Sequence, residues 1–230
     1  MMKSMKRIMG LMAVAGMLMF PVAAKAADGQ LGIYVAPKVI YGLTYMKDVK
    51  YQQSNGLFGN IGNKWDSSFG GSLAVGYDFS KKLNVPIRTE LEYAAFTKAE
   101  AEGTDQPWRD KYKQSNNIQT LLVNLYYDIN TGTKFTPYVG AGMGAGFIRT
   151  KGNADWATGI GSKTVTNFAW NIGLGLGYQI TNNIALDMGY RFADLGKVQT
   201  NWNNDYAYPW RLEIKRIYQH QFSMGARFTF

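Results

Sequence analysis

The chain has 230 residues, a formal charge of +9, no cysteine and a single histidine. Without cysteine there can be no disulfide framework, so stability has to come from burial or from closure of a sheet. Four positive charges, Lys3, Lys6, Arg7 and Lys25, lie in an N-terminal leader, and the roughly +5 that remains is too small an excess to indicate nucleic acid as a partner.

Lys3, Lys6 and Arg7 precede the apolar run Ile8–Ala24, broken only by Pro21, and Ala24-Lys25-Ala26 follows as a small-x-small cleavage site. This pattern predicts a secretory signal peptide over residues 1–26. A retained membrane helix is the alternative, which Pro21 and the cleavage site oppose. No cysteine follows, which excludes a lipoprotein anchor. Residues 27–230 are expected to form one domain, with no later apolar run long enough for a transmembrane helix.

Eight stretches then repeat a period of two, the signature of strands. The first, Leu31–Tyr45, carries Leu31, Ile33, Val35, Pro37, Val39, Tyr41, Leu43 and Tyr45 on one face. Phe69–Phe79, Val85–Thr97 and Asn117–Ile129 follow, the third setting Arg88, Glu90 and Glu92 against Ile87, Leu91 and Tyr93. The fifth, FTPYVGAGMGAGF over Phe135–Phe147, has glycine at 140, 142, 144 and 146. It lacks the third glycine of a dinucleotide fingerprint and the long apolar context of a helix-dimer motif. The sixth, Thr166–Ile180, sets Gly173, Gly175 and Gly177 against Ile172, Leu174 and Leu176. Ile184–Phe192 and Leu212–Phe230 complete the set.

The connections alternate in length. Ser80–Asn84, Asn130–Lys134 and Thr181–Asn183 are short; Met46–Ser68, Lys98–Asn116, Arg149–Val165 and Ala193–Arg211 are long and polar. Eight strands joined short and long in turn predict an all-β, up-and-down antiparallel barrel with four long loops at one end. A soluble lipocalin-like barrel would hold its apolar face inside. Here the other face is rich in glycine and poor in charge, which suits a lumen rather than a solvated surface. Aromatics also cluster at both ends of the apolar face: Tyr77, Phe79, Tyr127, Phe135, Tyr178, Phe228 and Phe230 near the short turns, and Tyr45, Phe147, Phe168, Trp170 and Phe192 near the long ones. Two girdles around an aliphatic band predict a transmembrane barrel whose outer partner is membrane lipid. The rim falls near His220, and Arg216 lies beyond it.

The interior of an eight-stranded barrel is only wide enough to be filled by side chains. The glycine wall, Gly140, Gly142, Gly144, Gly146, Gly173, Gly175 and Gly177, is expected to make room there for Lys38, Arg88, Glu90, Glu92, Tyr126, Asp187, Arg191, Gln219 and Arg227. The signs nearly balance, so Lys38, Arg88, Glu90, Glu92, Asp187, Arg191 and Arg227 read as an ion-pair network that plugs the lumen. A narrow gated ion channel is the alternative.

The chain resembles the opacity-protein and OmpA-like eight-stranded barrels of the outer membrane. The resemblance is carried by FTPYVGAGMGAGF, by LDMGYRFADLG over Leu186–Gly196, and by the terminal SMGARFTF. It implies a Gram-negative outer-membrane location and a surface role; in a departure from full OmpA-type proteins, no soluble peptidoglycan-binding domain is expected after the last strand. It also implies that Ser223, Gly225, Phe228 and Phe230 fill the positions of the outer-membrane assembly signal, read by the barrel-assembly machinery.

No catalytic, cofactor or metal site is expected. Glu90 and Glu92 stand beside Arg88 and read as structural rather than as an acid–base pair. Some outer-membrane barrels deacylate lipid A through a His and Ser pair, but parity puts His220 on the lipid side and Ser223 in the lumen, out of each other's reach. One histidine and no cysteine make a transition-metal site an unexpected one. Each long loop carries a tryptophan near an aspartate: Trp65 with Asp66, Trp108 with Asp110, Trp156 with Asp155, and Trp202 with Asp205, while Trp210 adds a fifth. Rigidly held aromatics suit recognition of a host or other extracellular ligand; anchoring to lipid and packing of the loops are the competing readings.

Overall fold

A strand that alternates apolar and polar residues needs two different surroundings, and a sheet in hydrocarbon must close to pair its backbone. Both conditions are met. In the computed structural model, residues 31–56, 58–104, 111–154, 157–202 and 209–230 are described. The expected signal peptide, residues 1–26, lies outside them. All eight predicted stretches are strands: β1 Ile33–Gln53, β2 Phe58–Asp78, β3 in two pieces Ile87–Phe96 and Ala99–Thr104, β4 Lys111–Asp128, β5 Phe135–Ala154, β6 Ala157–Thr181, β7 Ile184–Gln199 and β8 Trp210–Thr229. Neighbours pair antiparallel in chain order, and β8 returns to β1, with Met224 opposite Val39, to close the ring. Short turns join the strands at one end, one of them holding the helical turn α1, Ser80–Leu83, which ends on Asn84 in the left-handed region at φ 53°.

The apolar face points outward. Val75, Leu91, Val123, Leu125, Ile172, Leu174 and Met224 are exposed while Arg88, Glu90 and Glu92 are buried. A protein in water would not leave so continuous a greasy belt bare. Aromatic pairs mark both edges of the belt. Near the short turns Phe135 meets Tyr178 at 4.9 Å. At the other end Tyr45 meets Trp65 at 4.6 Å and Phe192 meets Tyr218 at 5.5 Å.

The strands are longer than the sequence pattern suggested. β1 ends at Gln53 and β2 begins at Phe58, so most of the expected loop Met46–Ser68 is sheet. The expected loops Lys98–Asn116, Arg149–Val165 and Ala193–Arg211 are likewise largely strand where they are described: Ala99–Thr104 and Lys111–Asn116, Arg149–Ala154 and Ala157–Val165, and Ala193–Gln199 with Trp210 and Arg211. β1 and β2 have 21 residues each. At about 3.3 Å per residue and a tilt of about 40°, that length rises about 53 Å, roughly twice the lipid band.

The reason is a change of phase. Beyond the outer girdle the surroundings become water, so the outside must turn polar and the inside apolar. Lys47 and Asp48 both face out, as do Lys215 and Arg216, after which Val49, Tyr51, Ile214 and Leu212 face in. Asp48 accommodates this at φ 52° and Gly196 at φ 80°. Register shifts sit at the same places, between Met46 and Val49 against β2 and between Asp194 and Val198 against β8. In β3 the break at Thr97–Lys98 does the same, moving the inward set from Phe96 to Ala99. The bore therefore has two storeys. The lower one holds charge. The upper one is an apolar core that includes Ile40, Met46, Phe96, Ile118, Leu122, Ile148, Leu195, Ile214 and Ile217. Each large aliphatic side chain buried there stabilises the fold by about 1.5–3 kcal/mol.

Candidate functional site

Inward parity on β3 stacks Arg88, Glu90 and Glu92 in one column of the lower storey. Lys38 of β1 reaches across, its Nζ 2.7 Å from Glu90 and 3.0 Å from Glu92. Arg191 of β7 closes on the other oxygen of Glu92 at 2.6 Å. Arg88 sits 3.9 Å from Glu90 and makes its strongest contact with Asp128, donating Nε at 2.6 Å and Nη2 at 2.9 Å. Asp187 and Arg227 form a second pair on β7 and β8, 3.6 Å apart. Four cations thus face four carboxylates.

Tyrosines complete the cluster. Tyr34 and Tyr126 donate to the Glu90 carboxylate at 3.1 and 3.3 Å. The Arg88 guanidinium lies 5.0 Å from the Tyr126 ring and 5.1 Å from that of Tyr138. Gln219 does not join the ions; it donates to Thr44 and Ser68 higher up, while Gln221 accepts from Arg191. Asp128, Tyr34 and Tyr138 are members that the sequence reading left out, although all three stand at even positions on strands whose even positions face the lumen.

The glycine wall is where these rings lie. A Cβ on Gly175 would stand 2.3 Å from Cζ of Tyr138, and one on Gly140 would stand 2.3 Å from Cδ1 of Tyr126. Gly142 lies under the hydrogen bond from Asn171 to Asn124, 2.9 Å long. Gly173 accommodates the Cβ of Arg191, Gly177 faces Asp187, and Gly144 and Gly146 lie higher along β5. What remains open among Lys38, Glu92, Tyr138, Arg191 and Ser223 is a cavity of about 30 Å³.

His220 and Ser223 stand on opposite faces of β8. The imidazole Nδ1 lies 2.9 Å from the hydroxyl of Tyr190, within the outer girdle and 6.0 Å from the Trp65 ring. Ser223 lines the lumen and its Oγ meets the Gly189 carbonyl at 3.5 Å. Gly225 packs under β1, where a Cβ would meet the Pro37 carbonyl at 2.3 Å. Phe228 pairs opposite Val35 and Ile184, and Phe230 donates its backbone N–H to Ile33.

Trp65, Trp202 and Trp210, the described tryptophans among those singled out, do not share one surface. Trp65 belongs to β2 and to the lipid-facing girdle, because the strand extends through the expected loop. Trp210 is fully buried in the upper storey, its ring 5.5 Å from Tyr51. Trp202 is exposed and carries the Arg211 guanidinium at 4.6 Å. Trp108 and Trp156 lie outside the described residues.

The outer surface of the extension is polar. Lys113 bridges Glu100 at 2.7 Å and Glu102 at 2.6 Å, and Lys197 meets Glu213 at 2.9 Å. Hydrogen bonding to Lys113 holds the Glu100 carboxyl below its ordinary value, and the same two carboxylates hold Lys113 above its own.

The profile of the outer membrane protein beta-barrel domain family matches residues 12–230. Outer membrane protein PagN of Salmonella typhimurium is 31% identical over 197 residues, which are 77% of this chain and 80% of that protein. A putative adhesin of Rickettsia bellii is 26% identical over 177 residues, 73% of this chain and 72% of that protein. Among solved structures, neisserial surface protein A superposes with a TM-score of 0.51 at 20% identity, covering 88% of this chain and 100% of that one. OprG of Pseudomonas aeruginosa gives 0.52 at 14% identity, covering 88% and 97%. At these identities the structural likeness is one of fold.

Proposed function

The chain belongs to the outer membrane protein beta-barrel domain family, and from that premise we propose that it is a non-enzymatic surface protein whose outer strand ends bind an extracellular or host ligand while its lumen stays closed. The observation that carries this reading is the extension. Strands that run well past the aromatic girdle, around a core of their own, make a rigid stem that holds its tips away from the membrane. Relatives named as putative adhesins support the same role. Closure of the lumen is supported by the apolar storey, by the four ion-paired cations below it and by the small volume left between them. Entry into the membrane rests on SMGARFTF, which we assign to recognition by the barrel-assembly machinery.

Attachment of bacteria carrying the protein to cultured host cells tests the role. Replacing the segments 54–57, 105–110 and 200–209 with two-residue turns, and residues 155–156 with Asn-Gly, is expected to abolish attachment while the barrel still folds. Undiminished attachment without all four tips, or steady single-channel conductance of the intact protein in a planar bilayer, overturns the proposal.

A further inference from the structure

Among the described tryptophans, Trp65 and Trp170 belong to the outer girdle and Trp210 is buried, so Trp202 alone stands exposed on the stem. Its surroundings are built from the strands. Trp210 and Leu212 are fully buried in the upper storey, which turns Arg211 between them outward. Gln52 stands directly opposite Arg211 on β1. Its Oε1 accepts from Arg211 Nε at 3.1 Å and from Nη2 at 2.9 Å. Glu213, next on the outward face of β8, lies 3.9 Å from Arg211 and meets Lys197 at 2.9 Å. The guanidinium held in this way lies 4.6 Å from the centre of the Trp202 ring. Two residues before the ring, the buried Thr200 accepts from the Leu212 N–H at 3.0 Å. Ser54, in the β1–β2 turn, donates its N–H to the Pro209 carbonyl at 2.7 Å. Two of the four tips are thus tied into one face.

The guanidinium covers one face of the indole, and 38% of the residue is still exposed. Beside the stack stand the Gln52 amide nitrogen, a donor, and the Glu213 carboxylate, an acceptor. An apolar ring face edged by a donor and an acceptor fits a pyranose, which carries C–H groups on its faces and hydroxyls round its rim. A galactose-type ring fits best, because its axial 4-hydroxyl gathers the C–H groups on one face. A sulfated or carboxylated ligand fits poorly. The Nε–Nη2 edge of Arg211, which would clasp such a group, is spent on Gln52, and Glu213 repels it. The side chains are held before any ligand arrives, so little freedom is lost on binding.

We propose that Trp202, Arg211, Gln52 and Glu213 form a binding site for a terminal, uncharged, galactose-type pyranose. The inference rests on the reading of the outer strand ends as the binding surface, and it assigns that role to one pair of tips, 54–57 and 200–209.

The test uses the full chain, refolded in a zwitterionic detergent free of sugar, on a surface bearing lactose, which presents many terminal galactose groups at once. Wild type, Trp202→Ala, Trp202→Phe and the control Lys151→Gln are compared. All four should melt alike, since both side chains are exposed. Wild type and Lys151→Gln are expected to bind equally, Trp202→Ala about 30-fold more weakly and Trp202→Phe in between. Free lactose should displace the protein, whereas sodium chloride at about 0.5 M should not. A lactose surface that wild type leaves bare overturns the proposal, as does equal binding by Trp202→Ala. Loss of binding to immobilised heparin alone in Trp202→Ala assigns the stack to a polyanion instead. Attachment to host cells separates this inference from the broader reading. If wild-type bacteria attach through the tips while the lactose surface stays bare, the sugar assignment fails and the surface role stands. If lactose is bound through Trp202 while cells attach without the tips, the reverse holds.

Discussion

Glu92→Gln removes one charge and almost no volume from the centre of the lower storey. Glu92 is buried and neutralises two cations at once, Lys38 at 3.0 Å and Arg191 at 2.6 Å. At an effective dielectric of about 20, each contact is worth roughly 5–6 kcal/mol of gross attraction, most of it offset by lost hydration. The substitution does not treat the two cations alike. Lys38 keeps Glu90 at 2.7 Å, whereas Arg191 is left with the neutral side chain of Gln221 as its hydrogen-bond acceptor. Stranding one buried charge costs about 3–5 kcal/mol, which for a domain of this size lowers the melting temperature by about 10 °C. Circular dichroism in detergent micelles, or the temperature at which gel migration shifts, reads this directly. Removing Arg191 as well, as Glu92→Leu/Arg191→Leu, should recover most of the loss, because Lys38 keeps Glu90 and no ion is then left alone. If the double variant melts as low as the single one, or if Glu92→Gln costs no more than Glu102→Gln on the exposed extension, the ion-pair account of the lumen is wrong.

Gly175→Val should be far more damaging than Ile172→Val on the lipid side of the same strand, since its first carbon already overlaps the Tyr138 ring; the yield of refolded barrel measures the difference. Conductance should depend on the upper storey rather than the lower. Ile118→Ala with Leu122→Ala, two apolar side chains facing into the bore of β4, is expected to produce channel openings in a planar bilayer where Glu92→Gln stays silent; silence of the former places the seal elsewhere. The Glu100–Lys113 contact should make the outer piece of β3 pH-sensitive. The carboxyl is held below its ordinary value, so its contribution is complete above the unfolded carboxylate pKa of about 4.3 and fades as pH falls through the folded value. Hydrogen exchange at Ala99–Thr104 should therefore be steady from neutral pH down to that point and then rise, after correction for intrinsic rates, and Lys113→Met should remove the step.

The membrane-embedded part of the barrel was legible because one rule governs it from end to end. With lipid outside and side chains inside, every strand keeps a single phase, and the period of two finds it. The same parity placed Lys38, Arg88, Glu90, Glu92, Asp187, Arg191 and Arg227 inside the bore. It says which wall a residue faces but not which neighbour it meets. Pairing is set by the stagger between strands, so the choice of Asp128 rather than Glu90 as the main partner of Arg88 is written in the register of β3 against β4 and not in either strand alone.

The extension was missed for a related reason. Its stretches are polar and carry Asp, Asn and Gly, the ordinary marks of loops. They do alternate, but with the opposite sense. The sequence Met46-Lys47-Asp48-Val49 looks like the end of a pattern when it is the hinge between two: inward Met46, two outward charges, inward Val49. Lys215-Arg216 does the same between Ile214 and Ile217. A reader fixed on one phase sees an apolar residue on the wrong face and stops the strand there. The physical requirement runs the other way, since a sheet that leaves hydrocarbon for water must exchange its faces or end. A pair of adjacent charges flanked by buried aliphatics, one step beyond an interfacial ring, is thus a signal that the strand goes on.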